Sequence, residues 1–260
     1  MDFKNVTPLN KIAEVEQEVS MALARVAYFI SPKVVQRLVE LNLDWKSEFE
    51  LNYGSKVNLD QYFYKNSACL FPGVRRPASE EERKLAKGPG RRKYHKSVNA
   101  ILDDNIYPRH LWCFLSTGQP YTGPTWRDSG LGQFELAHVL PHKSSELKGV
   151  KDWFVKVPSG ETPYGLFSCA ANIILLPKGM ARPTDGTAGI RLAVLKHYFD
   201  LYGDLHSGGF SGLTLPNRMT WYGELKWNAS IEPQDWENRI ARLDDFRRKG
   251  VSRLLASVTA

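Results

Sequence analysis

The chain has 260 residues, with 42% apolar and 24% charged residues and a formal net charge of +7. Seven Trp, eleven Tyr and twelve Phe can fill a sizeable core, and the length fits one large domain or a core with two appended elements. No apolar run approaches the roughly 20 residues needed to span a bilayer, so no membrane partner is expected.

The opening, MDFKNVTPLNKIAEVEQEV, has no apolar core of a signal peptide. A cytoplasmic protein is expected. Residues 9–30 follow with Leu9, Ile12, Ala13, Val15, Val19, Ala22, Leu23 and Val26 at near-helical spacing. Ser31-Pro32 reads as the start of a second helix, with Ser as N-cap and Pro in the first turn. Residues 1–70 form a helical N-terminal region on this reading.

Between residues 71 and 93 the composition shifts to FPGVRRPASEEERKLAKGPGRRK, a basic linker bounded by Pro-Gly breaks. From Arg75 to Lys96 nine Lys and Arg face three acids, Glu80 to Glu82. Arg75, Arg76, Arg91, Arg92, Lys93 and Lys96 are candidate phosphate contacts, since each contact would release counterions. A solvated basic loop explains the same run.

Residues 94–133 are rich in Gly and Pro and read as loop. Phe134 to Leu140 is strand-like, and NIILL, residues 172–176, is a second short apolar run. Residues 188–202 form an amphipathic helix with Ile190, Ala193, Val194, His197, Tyr198 and Leu201 on one stripe. His197 reads as a core histidine. Pro233 to Leu255 repeats the helical pattern; its RLDDFRRKG reads as a solvated helix face, whose Arg247, Arg248 and Lys249 could extend a DNA surface. Cys69, Cys113 and Cys169 are widely spaced, with no Cys-x-x-Cys pair, which argues against a disulfide framework and a cysteine-rich zinc site. His110 and Cys113 have ligand-like spacing but no second pair.

Three blocks occur in order: WCFLSTGQPYTG, then FELAHVLPHK, then SCAANIILLPKGMARPTDG. Over residues 95–187, about a third of the chain, they resemble the HNH endonuclease family. The resemblance implies an α+β fold, with a ββα-metal core over residues 94–187, the helical N-terminal region before it and a helical C-terminal extension over 188–260. It also implies phosphodiester hydrolysis of DNA, of a restriction or defence type, with RNA as the alternative polymer and a homodimer as a natural arrangement for two-strand cleavage.

By the same resemblance His138 is the general base that deprotonates water. Asn172 holds the loop between the strands and orients the histidine. A divalent cation, Mg or Mn, would stabilise phosphate charge. His142, Lys178 and Arg182 are further candidate nucleic-acid contacts. The chain departs from the family at the ligand positions: Ala137 stands where an acid usually precedes the histidine, and Ala181 where a final His or Asn binds metal. A methyl group cannot coordinate Mg. Glu135, His142 and Asp185 are the substitutes within reach in sequence. Ser116, Pro177 and Met180 occupy positions of the family's structural zinc clip, so no structural zinc is expected. The second reading is therefore an HNH-derived nucleic-acid-binding or structural subunit without a cation. In a third, the motif is accidental and Asn172 lies far from His138.

Overall fold

The structure is a computed structural model that describes residues 9–53, 106–140, 169–186, 188–203 and 215–259. The basic linker lies outside the described residues. The fold mixes helix and strand, is mostly helical, and carries a small two-stranded antiparallel sheet.

Helix α1 spans Leu9–Val26, four residues shorter than its apolar periodicity suggests. A tertiary partner ends it. Asn228 gives its backbone N–H to Ala24 O at 3.1 Å and its Nδ2 to Arg25 O at 2.7 Å, satisfying carbonyls that a helix end leaves open. The chain then runs extended. Tyr28 pairs with Leu175 in both directions, at 3.0 and 3.1 Å, and the Phe29 carbonyl accepts the Ile231 N–H at 2.8 Å. Aromatic and β-branched side chains at Tyr28, Phe29 and Ile30 suit such pairing.

Helix α2, Pro32–Tyr53, starts as the Ser-Pro signal predicts: Ser31 Oγ accepts the Lys33 N–H at 3.2 Å. Residues 106–128 correct the loop reading. Helix α3 spans Ile106–Thr117 and helix α4 spans Gly123–Asp128. Leu111, Trp112, Cys113, Phe114 and Leu115 are all buried. A helix apolar on every side has no amphipathic period to detect. Pro108 falls in the first turn, where a missing N–H costs little. Gly118, at φ 69°, ends α3 and gives its N–H to Phe114 O at 2.8 Å. In α4 the N-cap Thr122 accepts the Thr125 N–H at 3.0 Å.

A 3-10 turn, Leu131–Gln133, leads into β1, Phe134–His138. Strand β2, Ile173–Pro177, follows a 3-10 turn over Ala170–Asn172. The antiparallel register sets Phe134 opposite Pro177, Leu136 opposite Leu175 and His138 opposite Ile173. Helix α5, Arg182–Gly186, and helix α6, Ala188–Tyr202, come next. A 3-10 segment, Asn217–Glu224, precedes α7, Trp236–Thr259.

One hydrophobic cluster joins residues of α1, α2, α3, both strands, α6 and α7. Ile190, Val194 and Tyr198 of the predicted stripe join it, as do Leu195, Phe199 and Tyr202, while Ala193 packs in a second cluster with Met219 and Trp221. Helix α1 docks on the start of α6 through a buried acid: Glu16 Oε1 accepts the Gly189 N–H at 3.1 Å. A Cβ at Gly189 would stand 2.3 Å from Glu16 Oε2, so a side chain there would have to displace the carboxylate. Tyr202, fully buried, donates its hydroxyl to Ile30 O at 2.6 Å.

Candidate functional site

The sheet brings His138 and Asn172 together. His138 is the last residue of β1 and is half-buried. Asn172 directly precedes the strand that pairs with it. The Val139 N–H donates to the Asn172 main-chain oxygen at 3.0 Å. The Leu140 N–H donates to Asn172 Oδ1 at 2.5 Å. Both residues that follow His138 are thus fastened to one asparagine, itself 0% exposed. A buried side-chain amide is retained where its polar atoms find partners.

Strand alternation sorts the remaining side chains. Phe134, Leu136 and His138 share one face of β1, where the Phe134 ring meets Tyr28 edge-on at 5.5 Å. Glu135 and Ala137 share the other. Glu135 holds the turn after β2: its Oε1 accepts the Gly179 N–H and the Ala181 N–H, both at 2.9 Å. Gly179, at φ 88°, makes that turn possible. The acid suggested as a substitute ligand therefore anchors the backbone of Ala181.

Ala137 is buried and presents only a methyl group. His142 and the side chain of Asp185 lie outside the described residues. Among the described residues no three His, Cys, Asp or Glu side chains gather as a metal site. The described residues at this hairpin do not fit a divalent cation.

The candidate nucleic-acid contacts separate. Lys178 and Arg182 are exposed. Lys178 follows Pro177, which is paired with Phe134, so it lies at the end of the hairpin away from His138. Four residue steps of strand, about 13 Å, divide the two ends. Arg75, Arg76, Arg91, Arg92, Lys93 and Lys96 lie outside the described residues. Arg247 corrects the reading of the C-terminal basic run as a surface. It is 0% exposed, its Nη2 donates to Asn42 Oδ1 at 2.6 Å, and its guanidinium covers the Trp45 ring at 4.5 Å. Arg248 pairs with Glu48 and, at 3.1 Å, with Asp244.

His110 has a partner other than a metal, and Cys113 is buried. His110 Nδ1 accepts the Tyr121 N–H at 2.8 Å. Burial pushes the Cys113 thiol up to about 11, against a smaller downward pull from Arg109. His197 packs as expected, stacked on Trp227 at 4.2 Å and edge-on to Phe29 at 4.8 Å. Burial holds it down at about 4, with Asp200 opposing and Lys196 adding to the shift.

The role of Glu135 was missed because an acid in a strand carries no mark of the turn it will cap. The Lys-Gly pair after Pro177 was the available signal, since a left-handed glycine there leaves N–H groups facing one side. Comparison with protein-family models, with curated proteins and with solved structures finds no match for this chain.

Proposed function

We propose that the protein is an HNH-like endonuclease that hydrolyses phosphodiester bonds in DNA, of a restriction or defence type and working in the cytoplasm as a homodimer. The observation that carries this reading is the fastening of Val139 and Leu140 to Asn172. It fixes the turn directly after His138, so the imidazole stands at a defined strand end. A neutral histidine there can take a proton from water near neutral pH. Asn172 acts as a positioning residue through the backbone that it holds. A divalent cation would offset charge on the phosphate, but the described side chains offer it no seat, and no step is routed through one.

The test is incubation of varied duplex and single-stranded DNA, methylated DNA included, with Mg, Mn or Ni ions. His138→Ala is expected to abolish nicking. Cleavage that survives this change, in a variant of unchanged melting temperature, rejects the assignment.

A second reading, an HNH-derived binding subunit without cleavage, draws support from one specific arrangement. Ala137 and Ala181 lack ligand atoms, and Glu135 Oε1 is occupied by two N–H groups. It expects salt-dependent nucleic-acid binding with no hydrolysis. Stoichiometric uptake of a divalent ion in calorimetry counts against it.

A further inference from the structure

Among the described residues three large apolar side chains stand open to solvent. Two of them, Ile12 and Val15, lie one turn apart on α1, 43% and 55% exposed. Single exposed apolar residues are ordinary on a protein surface, but these two belong to a row. Ile12, Val15, Val19, Ala22 and Val26 follow one another at alternating steps of three and four residues, the spacing of a seam between two packed helices. The row is not the face that α1 turns to its own core. That face carries Glu16, Ser20, Leu23 and Ala24, all buried, with Glu16 holding the start of α6. Val19 already leans on the core, so the most open stretch of the row is Ile12 and Val15.

Charge beside the row says which helix fits it. Lys11 and Glu18 are both exposed, two turns apart, and border the same side of the row. A copy of α1 laid antiparallel, with a two-fold axis between Ile12 and Val15, sets Ile12 against the partner's Val15 and Val15 against the partner's Ile12. The same rotation brings Lys11 to the partner's Glu18 and Glu18 to the partner's Lys11. A parallel copy in the same register would set each charge against its like. Flanking ion pairs of this kind fix the orientation of paired helices, and a patch that complements itself under a two-fold axis is what an isologous contact requires.

We propose that the Ile12–Val15 end of α1 is the interaction surface for a second copy of this chain, joined to it as an antiparallel helix pair. This gives the homodimer proposed above a contact; it rests on that part of the reading and not on cleavage. Two apolar layers cover less than a standard interface of about 1,600 Å², so the dimer is expected to depend on protein concentration.

The experiment is sedimentation velocity of the full chain over about a hundred-fold range of concentration. The parent is expected to pass from monomer to dimer. Val15→Glu puts a charge into the seam and weakens the dimer about ten-fold or more. Lys11→Glu and Glu18→Lys each turn two attractions into two repulsions and weaken it by about ten-fold. The double exchange, Lys11→Glu with Glu18→Lys, restores both pairs and returns the dimer to within about three-fold of the parent. Circular dichroism melts identify any variant that fails to fold, in which case the charge exchanges, at exposed positions, carry the test. A parent that stays monomeric, a dimer that Val15→Glu does not weaken, or a loss that the double exchange does not repair overturns the proposal. A dimer that Val15→Glu dissociates, with no cleavage under any metal, rejects the hydrolase reading alone. Cleavage by a dimer indifferent to Val15→Glu rejects this surface alone.

Discussion

The Asn172 side chain accepts the Leu140 N–H at 2.5 Å, 32 residues away in sequence. One amide oxygen therefore closes the long connection between the strands at its His138 end. Asn172→Ala leaves a buried N–H without its acceptor and is expected to cost about 1–3 kcal/mol. Asn172→Asp keeps an acceptor at the same place and should cost less. Urea unfolding of both variants checks this order, and equal losses would mean that the bond is not what matters. Any nicking activity should fall in Asn172→Ala even where the protein remains folded.

Glu135 is expected to matter for stability and not for cation binding. Its Oε1 serves Gly179 and Ala181, and hydrogen bonds to a charged acceptor contribute about 1.5–3 kcal/mol. Glu135→Ala should lower the melting temperature, while Glu135→Gln should retain part of the stability. Any rise in melting temperature from EDTA to millimolar Mg should be as large in Glu135→Ala as in the parent. A rise with Mg that Glu135→Ala removes would instead make this carboxylate a ligand.

His197 sets an acid limit. Its pKa is lowered from the ordinary 6.5 to about 4, mainly by burial. The unfolded chain thus binds the proton more readily than the folded one. The stability tied to neutral His197 is complete above pH 6.5 and is lost as pH falls toward 4. The imidazole is partly shielded, between Trp227 and Phe29, with Asp200 and Lys196 as the nearest charges acting on it. The loss should reach about 2–3 kcal/mol by pH 4. Denaturant melts across this window should show the slope in the parent and a flatter profile in His197→Phe. An unchanged slope in that variant would place the acid sensitivity elsewhere.

Arg247 should behave as a core residue. It bonds Asn42 and covers Trp45 between α2 and α7. Arg247→Ala takes a hydrogen-bond partner from the buried Asn42, which is expected to cost about 1–3 kcal/mol, and uncovers the Trp45 ring as well. Under conditions where it stays folded, the salt dependence of nucleic-acid binding should match the parent. A reduced slope would restore Arg247 to the binding surface.

Legibility in the sequence followed the local physics. The start of α2 was legible because Ser31 and Pro32 act on their own helix. Helix α6 was legible in its limits but not in its stripe, since Leu195, Phe199 and Tyr202 are buried outside the predicted face. The pairing of His138 with Asn172 could be expected only through the family resemblance. The end of α1 was not legible, since Asn228 and Leu175 impose it from afar. Helix α3 was hidden by the continuous burial of Leu111 to Leu115, and Arg247 by a basic tripeptide that resembles any solvated helix face. Nothing in the chain order tells that Glu135 will reach past β2 to Ala181.

The two-way pairing of Tyr28 with Leu175 bears on how this hairpin could be inherited or transplanted. Strand β2 is flanked by β1 on one side and by the N-terminal segment on the other. A fragment cut to residues 94–187 would bare the Leu175 N–H and C=O along an Ile-Ile-Leu-Leu edge, which is a template for pairing with other chains. Residues 94–187 are therefore no cassette: without the first thirty residues or so, the β2 edge is expected to pair with other chains.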